Sequence, residues 1–148
     1  MLTRDRLLTL VDRPAIEAAI ARAEARTSGE IRVSVAPFFW GNVRRTAEHA
    51  FERLGMAATR ERNAVLIFVV PARRSFAVIG DEGIHNRVGP EFWVLVCERL
   101  GAAFGVGAYT EGLIAGVDAL GEQLARHFPP DPAHDQDELP NAVIVGDR

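Results

Sequence analysis

Glu30, Asn63, Asp81 and Glu82 each stand at the boundary of an apolar run, where polar side chains could do chemistry together. Glu30 opens Glu30-Ile-Arg-Val-Ser-Val35, and Asn63 opens Asn63-Ala-Val-Leu-Ile-Phe-Val-Val70. Asp81 and Glu82 follow Ser75-Phe-Ala-Val-Ile79. Gly80 and Gly83 flank the two acids and allow a backbone to come close to a ligand. Hard oxygen ligands of this kind suit Ca²⁺ or Mg²⁺. Glu30, Asp81 and Glu82 are therefore the expected metal ligands, with Asn63, Gly80, Gly83 and His85 as further residues of the same edge. Carboxylates packed together also raise one another's pKa, which is how general acids arise. Arg62 and Arg87 are the cations that could hold a phosphate there. A structural reading stands beside this one. Glu30 could pair with Arg32 or Arg62, Asp81 could cap a short turn, and His85 could be an ordinary loop histidine.

Other motifs fail on spacing. A cysteine phosphatase needs an Arg six residues after its Cys, and the residue six after Cys97 is Ala103. Cys97 lies in a helical apolar stripe and reads as a small core residue. Asp135-Gln-Asp137 resembles an aspartyl-phosphate motif, but the following Leu139 and its position in a polar tail exclude it. Gly105-Val-Gly107 lacks the strand and third glycine of a dinucleotide loop. No two of His49, His85, His127 and His134 share an i, i+4 spacing on one helix. With no nucleophile or dedicated base in view, the sequence predicts no covalent catalysis.

The elements that must position the acidic residues follow from periodicity. Asp12 is a good N-cap and Pro14 fits a first turn, so a helix is expected over about 13–27, ended by Gly29. Ile31, Val33 and Val35 alternate with Arg32 and Ser34, which is strand periodicity. A second helix is expected over about 42–57. The run at 63–70 is apolar on both faces, as a strand covered by helices on both sides would be. Pro71 ends it, and the short link to 75–79 makes an antiparallel hairpin. Helices are expected over about 90–104 and 111–127, the last capped by Thr110. A β-helix-β link makes the first two strands parallel. The starts of strands one and two and the end of strand three then share one edge of the sheet. Trp40, between Phe39 and Gly41, reads equally as a core residue or as an exposed partner contact.

The fold class expected is a three-layer α/β/α sandwich with a small mixed sheet. It has two parallel strands, an antiparallel hairpin strand and room for an extra edge strand at 142–145. The expected divisions are a lead segment at 1–12, a domain at 13–128 and a Pro- and acid-rich tail at 129–148.

Composition narrows the rest. The chain is 48% hydrophobic and 25% charged, an ordinary globular balance. A domain of this size buries about two thirds of its unfolded surface and needs no disulfide or metal to fold. Its net charge of −3 argues against nucleic acid as a partner. All 17 basic residues are Arg, each a planar fork suited to carboxylate or phosphate. The lone Cys97 excludes an internal disulfide. The N-terminal apolar stretch is too short for a signal peptide, and no run reaches the ~20 residues of a membrane span. The expectation is a cytoplasmic protein without direct membrane insertion.

Several blocks also resemble a known family. Gly29-Glu-Ile-Arg-Val-Ser-Val35, Asn63-Ala-Val-Leu-Ile-Phe-Val-Val70 and Val78-Ile-Gly-Asp-Glu-Gly-Ile84 are similar to successive strands of a TPM domain. Phe104, Gly107-Ala-Tyr109 and Glu111-Gly-Leu-Ile-Ala-Gly-Val117 resemble its final block. The resemblance covers about residues 13–128. It implies a central sheet between helices, and relatives that include thylakoid-lumen proteins with acid phosphatase activity, calcium binders and membrane-tethered bacterial proteins. The family's acidic, glycine-flanked turn matches Gly80, Asp81, Glu82 and Gly83. His85 lies within a turn where many relatives carry a Gly-Tyr-Gly type sequence.

Two functions are thus expected from different classes. The first is a binding or assembly module for a protein partner, with a divalent-cation site at the acidic edge. The second is a metal-dependent acid-phosphatase-like hydrolase of phosphate monoesters, in which Ca²⁺ or Mg²⁺ activates water. A cleft with an arginine facing the acids would favour the hydrolase. An exposed patch and an acidic edge without a nearby arginine would favour the binding module.

Overall fold

A computed structural model describes residues 4–131 and 139–146. The tail residues His134, Asp135, Asp137 and Glu138 lie outside the described residues.

The elements run α1 (Arg4–Leu10), α2 (Arg13–Glu24), β1 (Glu30–Val35), α3 (Val43–Arg53), β2 (Ala64–Val70), β3 (Ser75–Gly80), α4 (Glu82–His85), α5 (Glu91–Gly105), α6 (Tyr109–His127) and β4 (Ile144–Val145). The described sheet has the order β3-β2-β1-β4. β1 runs parallel to β2 and to β4, and β3 runs antiparallel to β2. This is the mixed sheet between helical layers that the periodicities predict, with β4 as the extra edge strand.

The pleat sorts side chains into two cores. Ile31, Val33 and Val35 of β1 and Val65, Ile67 and Val69 of β2 face α1, α2, α5 and α6. Leu66, Phe68 and Val70 of β2 and Ala77 and Ile79 of β3 face α3. Arg32 and Ser34 alternate as an exposed face would, yet they are only 8% and 1% exposed. Burial lowers the Arg32 pKa below its ordinary value.

The Asp12 cap is as expected, and several other terminators differ. Asp12 caps α2 through its Oδ1 and the Ala15 N–H at 3.1 Å. The helix ends at Glu24 with Ala25 as C-cap, so Gly29 is not its stop signal. A Cβ on Gly29 would stand 3.0 Å from Leu124, which gives that glycine a packing role instead. Helix α6 begins at Tyr109 with Ala108 at its cap. Thr110 does not cap it; its hydroxyl accepts from the Asp12 N–H at 3.0 Å and ties α6 to α2. Helix α4 forms where only a turn was expected, capped by Asp81 through the Glu82 N–H at 2.8 Å.

Candidate functional site

The acidic edge is built by backbone pairing at one end of the sheet. The Glu30 N–H donates to the Asn63 carbonyl at 3.4 Å, and the Asp81 N–H to the Ala64 carbonyl at 3.0 Å. Glu30 is in register with Ala64. Glu30, Ala64 and Asp81 therefore form one row across three strands, with the small Ala64 between the two acids. Adjacent strands lie about 4.8 Å apart, so the two acids are separated at the backbone by about 10 Å.

The edge is closed by an arginine. Arg62 Nε donates to Asp81 Oδ2 at 2.7 Å, and Arg62 Nη2 to Asp81 Oδ1 at 2.9 Å. Its Nη1 reaches Glu82 Oε1 at 3.2 Å. This fork-to-carboxylate pair is the strong, directional kind. It engages both oxygens of Asp81, which is 6% exposed. Hydrogen bonding to Asp81 raises the Arg62 pKa above its ordinary value. Arg62 holds a left-handed backbone, φ 52°, and its carbonyl accepts from the Gly83 N–H at 2.9 Å.

The remaining edge residues point to other tasks. The Asn63 amide donates to Ser28 Oγ at 3.3 Å and lies 3.5 Å from Glu61 Oε2. Gly80 packs against Trp93, where a Cβ would stand 2.5 Å from the indole. His85 is exposed, its ring 5.9 Å from that of Trp93. Arg87 lies over the Phe128 ring at 4.6 Å and donates to the His127 carbonyl at 3.1 Å. Glu30 is buried at 3% exposure. The structure thus joins Arg62, Asp81 and Glu82, while His85 lies beside Trp93 and Arg87 over Phe128. Among the described residues no group of three or more His, Cys, Asp or Glu is arranged to hold a metal ion. Arg62 engages both oxygens of Asp81, so a cation bound by that carboxylate would compete with the arginine.

The opposite end of the sheet holds a feature that the sequence left undecided. Trp40, in the loop after β1, is 88% exposed. The loop beneath it is fixed. Arg73 Nη1 donates to the carbonyls of Phe39 at 3.2 Å and Gly41 at 2.8 Å. The Arg73 guanidinium also lies 5.5 Å from the centroid of the Phe39 ring, which is buried. Phe38 meets Trp40 edge to face at 4.8 Å. Phe-Phe-Trp-Gly followed by the α3 N-cap Asn42 was the available signal; its anchor, Arg73, lies more than thirty residues away in sequence.

Comparison with known proteins agrees with this architecture. The BA42 protein of the psychrophilic bacterium Bizionia argentinensis is 36% identical, with a TM-score of 0.84 over 89% of this chain and 90% of that one. The N-terminal domain of the cg2496 protein from Corynebacterium glutamicum is 16% identical, with a TM-score of 0.60 over 74% of this chain and 68% of that one. The N-terminal domain of a P. gingivalis protein is 15% identical, with a TM-score of 0.64 over 88% and 98%. The last two likenesses concern the fold alone. No curated protein matches the chain. The family model described as the TPM domain matches residues 3–123, and the chain belongs to the TPM domain family.

Proposed function

We propose that the chain is a protein-binding module. Trp40 carries this reading, because a large apolar side chain stands 88% exposed on a loop that Arg73 pins from below. A tryptophan held in advance contributes contact area at little ordering cost, which is how interface anchors act. The loop follows the C-terminal end of β1, the side of an open α/β sheet where ligands gather. No described helix is long and apolar enough to cross a membrane. The single thiol, Cys97, fits a cytoplasmic setting.

A metal-dependent hydrolase of phosphate monoesters is the second reading. Arg62 is the arginine that this reading asks for at the acidic edge, and its side chain is 40% exposed. The same arginine weakens the reading, because it is already paired with Asp81 and a cation would have to displace it. The binding module keeps the stronger support.

Two measurements separate the readings. A photo-crosslinking residue at position 40 is expected to join a discrete protein partner, whereas the same residue at exposed Val106 is not. Adducts that are equally diffuse at both positions overturn the binding module. Calorimetric titration of Ca²⁺ and Mg²⁺, with turnover of p-nitrophenyl phosphate, is expected to show neither saturable heat nor turnover. Saturable binding and turnover lost in Asp81→Asn would establish the hydrolase.

A further inference from the structure

We propose that the open edge of β3 is a groove for an extended peptide of alternating acidic and apolar residues from a partner protein.

β3 ends the described sheet, and its backbone parity is fixed. The Asp81 N–H bonds the Ala64 carbonyl and the Gly83 N–H bonds the Arg62 carbonyl, so odd-numbered residues of β3 turn toward β2. Phe76 and Val78 therefore turn their N–H and C=O groups outward. Sheet edges that face solvent are guarded by Lys, Pro or an inward charge. Ser75-Phe-Ala-Val-Ile-Gly80 carries none of these.

A cavity of about 470 Å³ opens along this edge. Residues 76–78 line it together with Arg44 of α3, His85 of α4, and Trp93 and Cys97 of α5. Among the described residues no carboxylate lines it. Arg44 is exposed, and no ion pair engages it among the described residues. Arg44 and Cys97 line the same cavity, and the Arg44 charge opposes the effect of burial on the Cys97 thiol.

The pleat sets the chemistry of the occupant. A strand added to β3 sends alternate side chains to opposite faces. One set meets Arg44, where a carboxylate fits. The other set meets Trp93, Phe76 and Cys97, where an apolar side chain fits. Main-chain bonds to Phe76 and Val78 supply the rest, as in other strand additions. A second copy of this chain fits poorly, because its β3 has no carboxylate to place opposite Arg44.

The probe is a fluorescein-labelled Glu-Val-Glu-Val-Glu-Val peptide blocked at both ends. It is followed by anisotropy and by amide chemical shifts. Saturable binding is expected, with shifts at Phe76, Val78 and the Trp93 indole N–H. Arg44→Ala, or Gln for Glu in the peptide, is expected to weaken binding about two- to fivefold, the range of exposed ion pairs. N-methylation of the peptide amides that face β3 is expected to abolish it. No saturable binding, equal binding of the N-methylated peptide, or shifts confined to the Trp40 loop or the Arg62 edge overturns the proposal. A concentration-dependent dimer with the same shifts assigns the edge to a second copy and also overturns it. The inference rests on the binding-module reading but does not depend on Trp40. Crosslinking at position 40 without peptide binding keeps that reading and rejects this one.

Discussion

The α-carbon of Gly83 is pressed against the carbonyl of Glu61: a Cβ there would stand 2.1 Å from that oxygen and 2.5 Å from the carbonyl oxygen of Arg62. This junction sets Asp81 and Glu82 beside the Arg62 side chain. Both obstacles are backbone atoms and cannot rotate away. Gly83→Ala is therefore expected to destabilise the domain by about 2–4 kcal/mol, in the range of disrupted backbone packing. Urea denaturation measures this. Gly101 is the control, since it lies inside α5 with nothing nearer to a new Cβ than Phe76 at 3.9 Å. Gly101→Ala is expected to raise stability by about 0.5–1 kcal/mol. Equal effects at the two positions would contradict the packing at Gly83.

Arg62 combines two roles that substitution can separate. Its side chain clamps Asp81, and its backbone is left-handed at φ 52°. Arg62→Ala and Arg62→Gly both remove the clamp and leave the buried Asp81 carboxylate without it. Only glycine adopts the backbone freely. Arg62→Gly is expected to be more stable than Arg62→Ala by about 0.5–1 kcal/mol, after allowing for the greater entropy of unfolded glycine. Chemical denaturation of both variants in parallel tests this. An alanine variant as stable as the glycine variant would remove backbone strain from the account of this edge.

Much of the architecture was legible because apolar runs and their breakers act locally. Pro71 stops β2, the short link makes β3 antiparallel, and strand direction brings Glu30, Asn63 and Asp81 to one end of the sheet. The burial of Arg32 and Ser34 was not legible, since it depends on coverage by distant elements and not on the alternation of β1. The chemistry of the edge was only half legible. Residue types located the acids and the arginines, but the clamp requires Arg62 in a conformation that its side chain does not advertise. Trp40 shows the same limit. Its exposure depends on a loop fixed by Arg73, which lies in the β2–β3 link more than thirty residues along the chain.

Cys97 gives a pH dependence. Burial raises its thiol pKa above the ordinary 9.0, and Arg44 acts in the opposite direction. The unfolded chain therefore releases the thiol proton at lower pH than the folded one. The stability linked to Cys97 is complete below about pH 9 and is lost as pH rises through the folded-state value. Cys97→Ala is expected to flatten this fall in urea titrations between pH 8 and 10. Thiol-disulfide reagents are expected to react more slowly with the folded protein at pH 8 than with the unfolded chain. Arg44→Ala is expected to slow the folded reaction further. A faster reaction in that variant would contradict the placement of Arg44 over the cavity.

Trp40 provides the test that separates binding from folding. At 88% exposure it contributes little buried area, and its loop is held by Arg73 through main-chain carbonyls. Trp40→Ala is therefore expected to change stability by no more than about 0.5 kcal/mol, as surface substitutions do. Arg73→Ala releases two carbonyl contacts and the stacking on Phe39, and is expected to cost about 1–2 kcal/mol. The two variants should converge in partner capture, since one deletes the contact and the other lets its loop wander. Trp40→Ala with full stability and undiminished capture would take the loop out of the interface. A large stability loss in Trp40→Ala would instead make the side chain part of the core, contrary to its exposure.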